Sequence, residues 1–433
     1  MNRRDFIWTL PGLGASVWLT GCAVDPVTGK KAFVMMGKEQ EIAVDKQNSP
    51  HQFSEDYGVT QDPGLNRYVA EVGNRLGKVS HRPDMPYNFQ TVNANYVNAY
   101  AFPGGSIAAT RGILLELDNE DSLAALMGHE VGHVNARHFA ERQAKGTLLD
   151  IVVATATVAA ANSKPQYGEL AQLIGSVGGG ALLAHYSREN EREADALGLE
   201  YMARAGLNPG GMNDLMGMLN SQSQAKPNAL ELMFSTHPMS SERVANTQHA
   251  LQTTYADAAK RPRQRERYLD NTSRLRALKP AIGEQQKGEA MLNKKKFDLA
   301  EGHLQQALRL APEDYPGLVL MAKTQMAMNR PKEAQPYLMK AKAIYPGEAQ
   351  ASHLVGVTHL QLRQPDSALA AFQEYDRLLP GNPNTTFLKG FSLEQMQNKR
   401  AAAQEYYNYL QMTKQGGQAQ HAFSRLQGWG LIK

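Results

Sequence analysis

Apolar positions recur every three to four residues over most of the chain, so helix is the prevailing prediction. Helical pattern begins near Lys38 and again over residues 63–79. Residues 87–109 alternate instead and carry Val, Tyr, Phe and Ile, which predicts two short strands. Residues 119–145 predict the strongest helix. Its apolar stripe is Leu123, Met127, Val131 and Val134, and Asp118 or Asn119 can cap it ahead of Glu120 and Asp121. Two apolar runs follow, 148–161, broken only by Asp150, and 173–184. Neither is long enough to span a bilayer as a helix. They predict a buried or lid-like hairpin, or a segment that dips into a membrane surface. Residues 187–205 predict another helix, ended by Gly206 and Pro209, and residues 236–255 a loop and a helix. Residues 261–267 are basic and predict a solvated connector.

The last third of the chain repeats. Ala300, Ala334, Ala368 and Ala402 share one 34-residue register, and Leu304, Leu338, Phe372 and Tyr406 share another. Gly288, Ala322, Gly356 and Gly390 form a third, and Pro312, Pro346 and Pro380 a fourth. This is the tetratricopeptide pattern: two helices per unit, small residues where they cross, and proline after the second. It predicts repeats over 283–412 and a capping helix within 413–433. Such a solenoid presents a concave surface suited to peptide or protein segments.

Composition narrows the classes. At 433 residues the chain is too long for one ordinary domain. A hydrophobic share of 42% and a charged share of 20% exclude disorder as its main state. The net charge of +4, with no basic block, gives no footprint for nucleic acid. One cysteine, Cys22, excludes an intrachain disulfide and any Cys-rich zinc module. Residues 1–21 read as a signal peptide. Arg3 and Arg4 begin it, an apolar stretch follows, and Leu19-Thr20-Gly21-Cys22 resembles the bacterial lipobox. Cys22 is then the acylated residue, and Ala23 after it favours the outer membrane. Arg3-Arg4-Asp5-Phe6 also fits either a twin-arginine signal or a plain basic start.

The chemistry centres on His129-Glu130-Val131-Gly132-His133. On a helix turning about 100° per residue, His129 and His133 lie about 40° apart, so both imidazoles can reach one zinc ion. Glu130 sits beside them as a base for the attacking water. The same wheel turns this face away from the Leu123–Val134 stripe, toward a cleft. A catalytic zinc needs a third protein ligand, and Glu191 on the later helix is the candidate, ahead of Glu193. Asp195, one turn on, can accept the N–H of a ligating imidazole. His138 projects about 140° from His133 on a continuous helix and reads, like His185, as structural.

These motifs resemble the HExxH gluzincin metallopeptidases of the CAAX prenyl endopeptidase and HtpX type. The resemblance rests on the His129–His133 pentad, on the stretch from Ser187 to Gly198, on Asn98-Ala99-Tyr100-Ala101-Phe102-Pro103-Gly104-Gly105, and on Thr236-His237-Pro238 with Arg243. It implies that the segment of Tyr96, Asn98, Tyr100 and Phe102 holds an extended substrate by strand addition. It implies that His237 either touches a substrate carbonyl or fills the fourth zinc position at rest. Arg243 would stabilise the developing oxyanion, with or without His237.

The sequence therefore predicts an α+β fold: a mostly helical zincin-like metalloprotease domain with a small sheet, then an all-α tetratricopeptide solenoid. The expected segments are 1–21 signal, 22–37 tether, 38–260 peptidase, 261–282 connector, 283–412 repeats and 413–433 cap. The expected function is zinc-dependent endopeptidase action, with one zinc per chain, on misfolded or stalled envelope proteins. The expected location is the bacterial periplasm, lipid-anchored at the outer membrane, with outer-membrane assembly machinery as a partner of the repeats. The alternative is a chaperone or scaffold that works mainly through the repeats. A prenyl-type peptidase is disfavoured, because the spanning helices that would enclose a lipidated substrate are missing.

Overall fold

The computed structural model describes residues 36–144, 186–225 and 227–432, with a few positions between 23 and 32. The signal segment, Cys22, His185 and the apolar runs 148–161 and 173–184 lie outside the described residues. Among the described residues no helix is long and apolar enough to cross a membrane.

Helix α1 (Lys38–Glu55) is followed by α2 (Pro63–Gly77). Asp62 caps α2 by accepting from the Gly64 and Leu65 amides, and Pro63 fills the first turn, where its missing N–H costs nothing. The chain then forms three strands where two were expected: β1 (Asn88–Val92), β2 (Ala99–Ala101) and β3 (Ser106–Thr110). The extra reversal is a turn in which the Gly105 amide donates to Phe102 O, and Gly105 takes φ +104°, open only to glycine without strain. The sheet order is β1-β3-β2. β1 runs parallel to β3 with Phe89 opposite Ile107, and β2 runs antiparallel to it with Tyr100 opposite Ala108.

The long helix expected over 119–145 is two helices, α3 (Glu120–Asn135) and α4 (His138–Ala144). The break falls at Arg137, which adopts φ +57°. What holds it there is a buried carboxylate far away in sequence. Arg137 Nε donates to Glu41 Oε1 at 2.8 Å, and Arg82 binds the other Glu41 oxygen at 2.5 Å. Asn119 caps α3 at 2.8 Å from the Ser122 amide. Every residue of α3 is buried. The face bearing the histidines is therefore buried rather than open, with the helix that carries Glu191 packed against it.

Helix α5 (Arg188–Arg204) starts on a Ser187 cap, and Gly206 ends it at φ +75°. Helices α6 (Gly211–Ala225), α7 (Pro227–Thr236) and α8 (Ser241–Gln252) follow. The basic stretch after them is exposed over residues 262–266, as a solvated connector should be, and leads into α9 (Arg265–Asn271) and α10 (Ser273–Ala277), whose Tyr268 and Leu275 join the same core. Arg267 grips Glu120 at 2.7 Å, the Gln264 amide donates to Asp121 at 3.2 Å, and the Tyr268 hydroxyl donates to Leu114 O at 2.6 Å. The cations are drawn in because Glu120 and Asp121, favourable at the α3 N-terminus, are wholly buried and need partners.

Four helix pairs and one extra helix complete the chain. The pairs are α11 (Lys279–Asn293) with α12 (Phe297–Leu310), α13 (Tyr315–Ala327) with α14 (Pro331–Ile344), α15 (Gln350–Gln361) with α16 (Pro365–Leu378), and α17 (Pro383–Gln395) with α18 (Lys399–Met412). The last is α19 (Gly417–Gly428). The registers explain themselves in contacts. A Cβ on Gly288, Gly356 or Gly390 would meet Leu304, Phe372 or Tyr406 at 2.7, 2.4 and 2.8 Å, so each small residue admits a large one 16 positions on.

The first helices of the repeats already hold a peptide segment, and it belongs to this chain. Tyr57 is buried in the repeat core, with the Lys323 ammonium 4.9 Å from its ring. Gln350 donates to Ser54 O at 3.1 Å, and Gln61 donates to Ile344 O at 2.9 Å. Deeper, the buried Arg111 donates to Asp314 (2.7 and 3.1 Å), to Asn95 (2.9 and 2.6 Å) and to Gln285 (2.6 Å). Residues 51–61 and Arg111 thus fasten the N-terminal part to the solenoid.

Candidate metal centre

Two helices set the site. α3 and α5 cross antiparallel at a glycine contact. A Cβ on Gly128 would lie 3.3 Å from Gly198 Cα, and one on Gly132 would lie 2.9 Å from Ala194 O. This closeness places His133 opposite Glu191 and His129 opposite Asp195. His133 Nε2 is 3.3 Å from Glu191 Oε1, and His129 Nε2 is 3.5 Å from Glu191 Oε2. The two Nε2 atoms are 3.0 Å apart.

The loop after α7 brings in His237. Its Nδ1 is 3.3 Å from His129 Nε2 and 3.0 Å from Glu191 Oε1. One ligand atom from each of His129, His133, Glu191 and His237 lies within 4.8 Å of every other, and all four residues are buried. Tetrahedral ligands about 2.0–2.1 Å from zinc are about 3.3 Å from one another. Five of the separations here, counting either Glu191 oxygen, run from 3.0 to 3.5 Å, and the four ligand atoms as a set lie within 4.8 Å of one another. Three imidazole nitrogens and one carboxylate also suit zinc chemically.

Glu130 lies alongside, with Oε1 3.8 Å from His237 Nε2. Among the described residues both its oxygens are buried without a hydrogen-bond partner. A buried carboxylate left so is costly unless something else meets it. Burial pushes its carboxyl above the usual range, against the pull of His237 and His129. Burial would raise Glu191 as well, but His237 and His129 hold it well below the carboxylate range. Burial also lowers His133, whereas on His129 burial is overcome by Glu191 and Asp195, which push that imidazole up to about 10.

Around these atoms sits a layer of supports. Asp195 Oδ1 is 3.0 Å from His129 Nδ1. Arg243 donates to Asp195 from Nε (2.6 Å) and Nη2 (2.7 Å), and its Nη1 lies 2.6 Å from Glu191 Oε2 and 3.0 Å from Pro238 O. Arg243 was expected to face an oxyanion. Instead it clamps the two carboxylates and the loop, which engage four of its five N–H groups. Asp195 is held low by that grip, despite the opposing effect of burial.

The strand segment turns its side chains to the interior. The Tyr96 and Tyr100 hydroxyls donate to Asp56, Phe102 packs edge-on against Phe53, and Asn98 is buried. These side chains are spent on the interior, which leaves only main-chain atoms of β2 for a neighbour. Glu193 faces away from the four-residue cluster and meets His138, 3.2 Å from its Nε2.

Two site residues were not legible beforehand. His138 was placed away from His133 by a wheel drawn on a continuous helix. The break at Arg137 folds it back, and the two Nδ1 atoms are 2.8 Å apart. Tyr186 stacks on the His133 ring, with centroids 3.8 Å apart and planes 18° apart. Its one signal was its place, an aromatic just before the Ser187 cap.

The sequence profile of Peptidase family M48 matches residues 63–251, and a tetratricopeptide repeat profile matches residues 291–356. The chain is similar to the beta-barrel assembly-enhancing protease of Escherichia coli, at 31% identity over 192 residues, 43% of this chain and 39% of that one. It thus spans about two fifths of the length of that relative. The mitochondrial metalloendopeptidase OMA1 of Schizosaccharomyces pombe is 30% identical over 253 residues, 56% of this chain and 72% of that one. Among solved structures, MamA of Desulfovibrio magneticus covers 38% of this chain and 89% of its own at 21% identity, with a TM-score of 0.30. That likeness is too loose to carry any conclusion.

Proposed function

The chain belongs to peptidase family M48 and is a metalloendopeptidase by that membership, and from this we propose a zinc-dependent enzyme of the bacterial cell envelope that cuts unfolded or stalled envelope proteins. The observation that carries the reading is the convergence of His129, His133, Glu191 and His237 beside the unpartnered Glu130. One zinc ion held there supplies a Lewis acid that polarises a peptide carbonyl and makes water acidic near neutral pH. His129, His133 and Glu191 hold it. Glu130 takes the proton of the attacking water and hands it to the departing amine.

His237 closes the fourth position at rest and leaves it when the loop ahead of α8 swings away. Asp195 and Arg243 keep the ligands aimed. An extended substrate lies along β2, which among the described residues pairs on one edge only, with β3. The support for an envelope location is the Cys22 lipobox, which would tether the enzyme to the outer membrane, together with the likeness to a protease named for β-barrel assembly. On this reading the enzyme serves outer-membrane protein quality control, with the repeats meeting clients or assembly machinery.

The test is cleavage of an unfolded reporter protein by the purified chain. Turnover should stop with a chelator, return with zinc and be absent in Glu130→Gln. Cleavage that survives the chelator would refute the metal-dependent reading. A second reading, a scaffold acting through the repeats, draws on the size of the solenoid. Full rescue of outer-membrane assembly in cells by Glu130→Gln would favour it.

A further inference from the structure

We propose that His138 is a positioning residue for the metal ligand His133, acting through a relay that ends on Glu193. The proposal rests on the metal reading of the site. It starts from tautomers. His133 turns Nε2 toward the other ligand atoms, 3.0 Å from His129 Nε2 and 3.3 Å from Glu191 Oε1. A neutral imidazole that offers Nε2 as a lone pair carries its proton on Nδ1, which must then find an acceptor. The atom it meets is His138 Nδ1, at 2.8 Å. For that nitrogen to accept, His138 must carry its own proton on Nε2. That N–H in turn needs an acceptor, and Glu193 Oε2 is 3.2 Å away. Every donor in the chain Nδ1–H of His133, Nε2–H of His138 and carboxylate of Glu193 faces an acceptor, and the other tautomer of His138 would set donor against donor at His133 and lone pair against carboxylate at Glu193.

The two paired histidine ligands are thus aimed in different ways. His129 gives its Nδ1–H directly to buried Asp195, which Arg243 grips from behind. Among the described residues His133 Nδ1 meets no carboxylate directly and reaches one through a second imidazole. His138 is only 1% exposed, whereas the Glu193 side chain is 37% exposed, so the relay carries polarity from the interior to the rim. The fold makes room for this deliberately. Arg137 takes a left-handed conformation held by Glu41, and without that break His138 would point away from the site.

Such supporting hydrogen bonds fix ring orientation and ligand basicity, and losing one costs about ten- to a hundredfold in metal affinity. The test compares His138→Phe, which keeps a ring and loses the acceptor, with His138→Asn, whose amide oxygen can stand where Nδ1 stood. Zinc affinity is read by competition with a chromogenic chelator, and folding by thermal melting of the metal-free chain. His138→Phe should bind zinc about ten- to a hundredfold more weakly than wild type, while His138→Asn recovers most of the loss, with metal-free melting alike in both. Zinc binding by His138→Phe equal to wild type would overturn the proposal, as would an equal loss in both variants. Should His138→Phe fail to fold, Glu193→Leu decides: weakened zinc binding supports the relay, and unchanged binding overturns it. A wild type that binds no zinc would bring down the metal reading itself, an outcome distinct from any failure confined to His138.

Discussion

Gly132→Ala tests whether the crossing of α3 and α5 is what holds the metal-binding atoms together. A methyl group at this position would meet Ala194 O at 2.9 Å and Ala194 Cα at 3.0 Å, where ordinary contact begins at 3.4 Å. Both obstacles are helix backbone, which cannot rotate aside, so α5 must yield by a few tenths of an ångström. Glu191 lies one turn away on the same helix and moves with it. Alanine gains about 1 kcal/mol over glycine in helix propensity, while overpacking a tight contact costs about 1–3 kcal/mol. The net expectation is a loss of about 0–2 kcal/mol in the metal-free chain. Gly217→Ala is the control. It sits on α6, exposed and with nothing within 4 Å of its added methyl, so it should gain about 0.4–1 kcal/mol. Urea unfolding in the presence of a chelator reads these opposite shifts. Chelator competition should then show zinc held at least about tenfold more weakly by Gly132→Ala, a cost of about 1.4 kcal/mol, and unchanged in Gly217→Ala. The reasoning fails if Gly132→Ala is as stable as Gly217→Ala and binds zinc like wild type.

Other expectations concern the loop, the interface and pH. If His237 closes the site at rest, His237→Ala should raise peptidase turnover and bring self-cleavage, and a fall of about a hundredfold would instead assign it to the oxyanion. Arg111→Met leaves Asp314, Asn95 and Gln285 buried without their shared donor, so urea unfolding should show a loss of about 3–5 kcal/mol. Adding Asp314→Leu should recover part of it, and a single variant as stable as wild type would refute the interface reading. Asp56 is pushed up to about 6 by burial, its hydrogen bonds from Tyr100, Tyr96 and Gln52 offsetting only part. A raised carboxyl favours the folded state only while protonated. Stability at this group therefore falls as pH rises from about 4 to about 6, by up to about 3 kcal/mol, and is level above that. Asp56→Asn should flatten that window in pH-dependent melting, and an unchanged slope would show that other groups govern it.

What could be read beforehand was what repeats or follows a helical period. The 34-residue registers map onto helix pairs because each small residue meets its large partner within one unit. His129 and His133 needed only a four-residue spacing on one helix, and Glu191 and Asp195 only another. What could not be read depends on partners distant in sequence. The break that turns His138 inward is held by Glu41, 96 residues before Arg137. Arg243 looked free for an oxyanion because nothing local shows that Asp195 and Glu191 take up its N–H groups. The stretch 261–267 is exposed over 262–266 as expected, but the ties of its Gln264 and Arg267 to Asp121 and Glu120 span over 140 residues and leave no local signal. The repeats looked free of the N-terminal part, while residues 51–61 of the same chain pack against them at Lys323, Ile344 and Gln350.

Metal content per chain is the most direct measure of the central claim. Zinc analysis of the purified wild type, Glu191→Gln and Glu193→Gln puts the ligand assignment to a single readout. The account predicts one zinc per chain in wild type and in Glu193→Gln, and little in Glu191→Gln. Full zinc in Glu191→Gln, or none in wild type, would contradict it.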